Sequence, residues 1–348
     1  MSTPRLPAEW EAQQCIIFTW PHPSHNSIWT DDLQRIDKDF AFIIEQAAHY
    51  SAITIIAYDT EHKHHIESLL ASMPTAYPIQ LLCIPTNDCW VRDYGPITLL
   101  TDEKPLFVNF GFDAWGGKYP HLKDSNANAA LFSHPPFTGY QHATVDYILE
   151  GGSIETDGHG TLLTTEQCVF THSRNPATSR PELIKQICTT LNASRLLILK
   201  HGKLIGDDTD GHIDTLVRFV DPHTLCYTAC DDKNNAHYRS LKMMEGELAK
   251  LTDYLDNPYR LVPLPLPPLM KNSDGEPLPA NYTNFLILNG AVLVPTYDTH
   301  ADNIAQMTLQ QCFPNRKIIP IPSTELIQNF GSIHCASMHI PKGNIHVV

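Results

Sequence analysis

Two short β-rich runs joined by a turn, then an amphipathic helical stretch, then a third apolar run: this order recurs along the chain and limits the fold more than any other feature. Residues 153–156 and 161–164 flank Asp157-Gly158, 215–220 and 224–229 flank Asp221-Pro222, and 285–288 and 291–294 flank Asn289-Gly290. Asn-Gly between apolar runs is the strongest short hairpin signal. Apolar residues at helical spacing follow in 181–191 (Leu183, Ile184, Ile187, Leu191), 236–251 (Leu241, Met244, Leu248, Leu251) and 302–312 (Ile304, Met307). The third runs are 195–199, 259–264 and 317–321. A poorer fourth copy starts with 97–100 and 106–110. A fifth can be assembled from the C-terminal 335–348 with the N-terminal strand 15–20, helix 34–50 and strand 53–57. The expected class is α/β (α+β), built from ββαβ units. Five such units suit a closed, propeller-like ring, and an ordinary mixed α/β sandwich accommodates the same elements equally well.

A length of 348 residues allows one large domain or two ordinary ones. With 24 Lys+Arg against 38 Asp+Glu the net charge is −14, which argues against a nucleic-acid partner and is compatible with a cationic ligand. No apolar run reaches the roughly 18 to 20 residues of a membrane span, and residues 1–15 lack the layout of a signal peptide, so a soluble, cytoplasmic protein is expected. Nine cysteines, none in a CxxC pair, read as reduced thiols, of which one can be a nucleophile. Residues 258–279 hold seven prolines and read as an extended surface or lid loop. His62, His64 and His65, beside Lys63 on the helical stretch 61–73, read as surface residues.

The repeat selects among the many polar residues. A polar, Gly-containing knot precedes each proposed hairpin: Asn87–Asp93, Glu150-Gly151-Gly152, Asp207–Asp214, Asn281–Asn284 and Gly331–Cys335. Equivalent positions in a pseudo-symmetric ring face one axis, so Asp93, Glu150, His212, Asp214, Asn284 and Cys335 can meet. Aligning Gly211 with the glycine of an EF-hand loop puts Gly206 and Val217 at obligatory carboxylate positions, which excludes that motif. No metal site is expected. A thiol nucleophile needs a histidine to carry protons and a third group to orient it, roles that Cys335, His212 and Glu150 can fill. Two more carboxylates, Asp93 and Asp214, repel one another unless the ligand is a cation. A planar, always charged guanidinium is the natural match, with Trp90 placed to pack on its face. Each residue taken singly also has a purely structural reading, such as a strand cap, a turn or a surface ion pair; their recurrence at matching places favours a site.

LPAEWE (6–11), TWPH (19–22), NDCWVRDYGP (87–96), NFGFDAWGGKY (109–119), EGGSIETDG (150–158), GDDTDGHIDT (206–215), ANYTNFLILNGAVLVPTY (280–297) and GSIHC (331–335) closely resemble the agmatine deiminase and bacterial peptidylarginine deiminase family, in the expected order along essentially the whole chain. The resemblance implies a single pentein domain over 1–348, a five-bladed β/α propeller, and a hydrolase of guanidinium C–N bonds that needs neither metal nor cofactor. It implies Cys335 as nucleophile, His212 as general acid/base, Glu150 as its orienting carboxylate, and Asp93 and Asp214 as the guanidinium clamp. Trp90 and Asn284 are implied as substrate contacts. The favoured substrate is agmatine, giving N-carbamoylputrescine and ammonia in polyamine (putrescine) synthesis. The alternatives are another guanidine, such as free or peptide-bound arginine, and a silent polyamine-binding protein. Asp208 is the candidate for the far amine, although relatives often carry Glu there. No nucleic acid or membrane is implied as a partner, and a homo-oligomer is allowed.

Overall fold

The computed structural model describes residues 4–25 and 33–343. Among the described residues, five of the six sheets share one pairing plan, the sixth being a two-stranded hairpin. In four of them the first two strands are antiparallel and the second and third are parallel. These are β4 (Ile97–Leu99), β5 (Leu106–Gly111) and β6 (Gln141–Ile148); β7 (Ile154–Thr156), β8 (Thr161–Thr165) and β9 (Arg195–Leu199); β10 (Val217–Asp221), β11 (Thr224–Thr228) and β12 (Arg260–Leu264); and β15 (Leu286–Ile287), β16 (Ala291–Thr296) and β17 (Lys317–Pro322). The fifth joins the two ends of the chain: β18 (Ser337–Pro341) lies antiparallel to β1 (Gln13–Thr19), which continues in parallel to β2 (Ala52–Ala57) and β3 (Ile79–Cys83). The unit expected from the sequence is therefore present five times, with β3 as an additional strand. The C-terminal run expected to complete the fifth unit is a strand as far as Pro341, and its residues 344–348 lie outside the described ones.

Parallel neighbours cannot be joined by a tight turn, and each such pair is bridged by helix. The helices Leu33–Ala48, Arg180–Thr190, Tyr238–Leu248 and His300–Cys312 fall where the apolar spacing places them. In the first, Ile36, Phe40, Ile43, Ile44 and Ala47 are fully buried on one face, each large side chain contributing about 1.5–3 kcal/mol. Thr60–Leu70 is capped by Asp59, whose carboxylate accepts from His62 N. His62 is buried there, not on the surface as its neighbourhood suggests, because its Nδ1 accepts from Tyr58 N at 3.0 Å and its ring donates to the Pro21 main chain. His64 and His65 are exposed.

The helix Leu122–Leu131 escapes the periodicity because its inner face is polar. Asp124 Oδ1 accepts from Asn87 N at 2.7 Å and Asp88 N at 3.3 Å, and Asn128 Nδ2 donates to Tyr94 O and Asn109 Oδ1, both at 2.7 Å. It brackets the knot that carries Asp93. The proline-rich segment 258–279 is also more ordered than its composition predicts. Pro263 sits in the edge strand β12, where a missing N–H is tolerated, and β13 (Met270–Lys271) pairs with β14 (Pro277–Leu278) as a hairpin. Pro277 O packs against Gly206, where a Cβ would come within 2.1 Å of it. The segment thus backs the Asp207 loop and contributes no residue to the wall of the cavity over Cys335. No described helix is long and apolar enough to cross a membrane.

Candidate active site

The knots do converge. Three arms meet around Gly152, where a Cβ would stand 2.6 Å from His212 Nδ1, 2.8 Å from Asp93 Oδ1 and 3.2 Å from Asp214 Oδ2, so only glycine fits. Asp93 is held by two donors, Gly152 N to Oδ1 at 3.0 Å and Trp115 Nε1 to Oδ2 at 2.9 Å. Trp115 reaches it from a turn in which Ala114 and Trp115 both have left-handed backbones (φ 54° and 58°). His212 is sealed from solvent and lies between two carboxylates, with Nε2 3.2 Å from Glu150 Oε2 and Nδ1 3.6 Å from Asp93 Oδ1. Burial alone would push the imidazole's pKa down. The Asp93 carboxylate, the Cys168 thiol and Glu150 outweigh it and hold His212 well above its ordinary value. Glu150, burial notwithstanding, is kept below the usual carboxylate range by its bonds to His212 and Arg174.

Cys335 closes the group. Its Sγ lies 3.7 Å from Asp214 Oδ2, and burial, then Asp214 and Asp93, push the thiol well above its ordinary pKa. Asp214 Oδ2 is bonded to His334 Nδ1 at 2.7 Å, and Oδ1 has no partner among the described residues. Asp93 is pushed up to about 6, chiefly by burial, against the pull of His212.

Cys335, Asp93, Trp90 and Asp208 line a solvent-connected cavity of about 510 Å³ together with Asp88, Trp115, Tyr119, Asp207, Thr209, Thr215, Asn329, Phe330 and Gly331. His212, Glu150 and Asp214 stand just behind its wall. Trp90 packs on Gly331, where a Cβ would lie 2.5 Å from the indole ring. Asn284 is not on the wall: its Oδ1 accepts from His334 N (3.1 Å) and Cys335 N (3.2 Å), fixing the backbone that carries the thiol. Asp208 is at the mouth but already engaged, accepting from Tyr119 OH at 2.7 Å and facing Lys118 Nζ at 3.4 Å. Asp207 folds its own loop, accepting from Thr209 N, Thr209 Oγ1 and Gly211 N.

Four supporting residues went unread in the sequence: Arg174, Cys168, His334 and Glu9. Cys168 Sγ lies 3.6 Å from Glu150 Oε2. Glu9 joins distant segments, touching Arg92 Nη1 (2.8 Å), Arg218 Nη2 (2.5 Å), His334 Nε2 (2.9 Å) and His339 Nδ1 (3.2 Å). This network borders a second cavity of about 620 Å³ on the other side of the Arg92–Asp93 step, with no cysteine in its lining among the described residues. Two clusters have donor atoms close enough to ligate a metal, Glu9–His334–His339 and Glu150–Cys168–His212. In both, those atoms are engaged with one another or with arginines.

A solvent-connected thiol beside a histidine set between two carboxylates is the arrangement with which known proteins can be compared. The model of the Porphyromonas-type peptidyl-arginine deiminases matches residues 5–341. The chain belongs to that family. It is 30% identical over 360 residues to the agmatine deiminase of Pseudomonas aeruginosa (strain LESB58), covering 97% of this chain and 95% of that one. Its fold is similar to a C. jejuni agmatine deiminase solved with substrate bound (28% identity, TM-score 0.90, 98% and 97% of the two chains). It is also similar to a Porphyromonas gingivalis structure named "putative arginine deiminase" (37% identity, TM-score 0.89, 98% and 99%). These whole-length matches establish the mixed α/β fold of the family's known structures.

Proposed function

We propose that the chain is an agmatine deiminase, hydrolysing agmatine to N-carbamoylputrescine and ammonia and so feeding putrescine synthesis. The observation that carries the reading is the cavity over Cys335: its wall holds Asp88, Asp93, Asp207 and Asp208 and, among the described residues, neither Lys nor Arg. Such a pocket favours a guanidinium whose far end is an amine over one whose far end is a carboxylate. The family resemblance supports the same reading, with the whole chain acting as one catalytic unit whose five sheets close into a five-bladed ring.

In this reading the guanidinium lies between Asp93 and Asp214, which hydrogen-bond its N–H groups. The arriving cation offsets the carboxylates that suppress ionisation of Cys335, the thiol releases its proton to solvent, and the thiolate attacks the central carbon. His212, charged in the resting site, gives its proton to the departing nitrogen, which leaves as ammonia, and a covalent S-alkylthiouronium remains. The neutral imidazole then takes a proton from water, the oxygen adds to the same carbon, and the C–S bond breaks to give the ureido product and the thiol. Glu150 keeps the ring oriented throughout, as the carboxylate of a catalytic triad does. Asp208, loosened from Lys118, is the proposed partner of the far amine, directly or through water.

Lys118 supports a second reading. Its Nζ sits at the pocket mouth, facing Asp208 and Asp210, and could instead hold the carboxylate of arginine. Incubating the protein with agmatine, arginine and a blocked arginine peptide, beside Cys335→Ala, separates the two. Ureido product from agmatine alone, abolished in the variant, is the expected result. Product from arginine moves the assignment to the second reading, and product from none of the three ends the enzymatic claim for these substrates.

A further inference from the structure

Arg174 is 5% exposed and every side-chain nitrogen it has is used. Nε donates to both oxygens of Glu150 (2.8 and 2.9 Å), Nη1 to Asp210 Oδ2 (2.8 Å) and Nη2 to Thr209 O (2.8 Å). Glu150 in turn faces His212 Nε2, and His212 N donates back to Thr209 Oγ1 at 3.0 Å. These contacts form a closed circuit, Arg174–Glu150–His212–Thr209–Arg174, that ties the carboxylate behind the imidazole to the loop at the pocket mouth. We propose that Arg174 is the positioning residue of the reaction, fixing Glu150, and through it the His212 ring, in register with the 207–212 loop.

Two physical considerations carry this. A fully buried carboxylate that met only the imidazole would have to repay its desolvation with one hydrogen bond, which a single bond does not do. Arg174 supplies the missing charge through one Nε–H shared between both Glu150 oxygens, while the other two arms of its planar fork fix where that N–H points. The same guanidinium holds Asp210 and a main-chain carbonyl of the loop that carries Asp208 and His212. Lysine supplies the charge without the fork, so the two contributions can be separated.

The proposal rests on the deiminase reading, and its test carries one readout that does not. Wild type, Arg174→Lys and Arg174→Gln are compared for agmatine turnover across pH, and for the downfield Nε2 proton resonance of His212 in the unliganded protein, assigned by its loss in His212→Asn. Expected for Arg174→Gln is a fall in kcat of about 10–100-fold, part of the 10²–10⁴ that a placed acid/base contributes, with KM little changed. The acid limb of its kcat profile, where bound guanidinium keeps Asp93 ionised, should move to higher pH, because Glu150 without its cation is harder to ionise. Arg174→Lys should keep the acid limb near wild type and still lose about 10-fold in kcat. The Nε2 resonance should broaden or vanish in Arg174→Gln. A uniform scaling of activity at all pH values with the resonance unchanged overturns the proposal, as does a rise in KM alone. Should wild type turn over no guanidine, the deiminase reading fails while the resonance still decides the role of Arg174. Should Arg174→Gln not fold, Arg174→Lys decides by kcat and the resonance.

Discussion

Replacing Asp93 by Asn tests the charge of His212 directly. The two side chains approach to 3.6 Å, and at an effective dielectric of about 20 unit charges at that separation attract by about 4.6 kcal/mol. The substitution preserves shape but presents an amide N–H to Gly152 N or to Trp115 Nε1, so one of those two bonds is lost as well. The expected result is a His212 whose titration moves clearly to lower pH in the unliganded variant, followed by ¹⁵N NMR of labelled histidine. A substrate-like guanidine should bind about 100-fold more weakly, since a charge-assisted bond is worth about 1.5–3 kcal/mol. A His212 titration unmoved by Asp93→Asn would refute the reasoning, because the largest influence opposing burial at that imidazole would then lie elsewhere.

Gly152→Ala drives a methyl between His212 and Asp93; kcat should fall about 100-fold, as for misplacements of about 1 Å, and a kcat near wild type would show that the site yields. In wild type kcat/KM should decline as pH falls through about 6, where Asp93 takes up a proton while the guanidinium stays charged; a profile flat to pH 5 contradicts this. The thiolate absorbance of Cys335 should appear on adding a substrate-like guanidine and be absent before, since its neighbouring carboxylates oppose ionisation; full ionisation at neutral pH in the free protein sinks the idea. His62 is held at about 4, chiefly by burial and then by His22 and His65. A lowered histidine contributes stability that is present above the unfolded value of about 6.5 and lost as pH falls toward 4, up to about 3 kcal/mol. The thermal midpoint of His62→Gln should therefore depend less on pH over that interval than that of wild type.

The hairpins and four of the long helices were legible because each is specified locally, by turn dipeptides such as Asn289-Gly290 and by apolar spacing. The repeat then located the polar knots, and with them Cys335, His212, Glu150, Asp93 and Asp214. The supporting residues were not legible, since their partners are remote in sequence. Glu9 meets His334 across 325 residues and Arg218 across 209. Trp115 sits in a motif, Asp113-Ala-Trp-Gly-Gly, whose glycine pair is a turn signal that could have marked it. The negative charge of the run Asp207, Asp208 and Asp210 is partly cancelled, because Lys118 and Arg174 fold onto Asp208 and Asp210. Charge counted along a sequence cannot register such pairing.

The sheet that joins the two chain ends has a consequence for synthesis. β1 is made first, but its outer neighbour β18 follows about 320 residues later, roughly 15–60 s at ribosomal speed. During that interval an apolar strand, with Ile16, Ile17 and Phe18 destined for the core, has an unpaired edge open to other nascent chains. The thiol arrives just ahead of the strand that covers this edge. A ribosome that stalls shortly before Cys335 therefore releases a chain that lacks both the thiol and β18 and carries an adhesive edge, and such products should be found in aggregates rather than as an inactive folded pool.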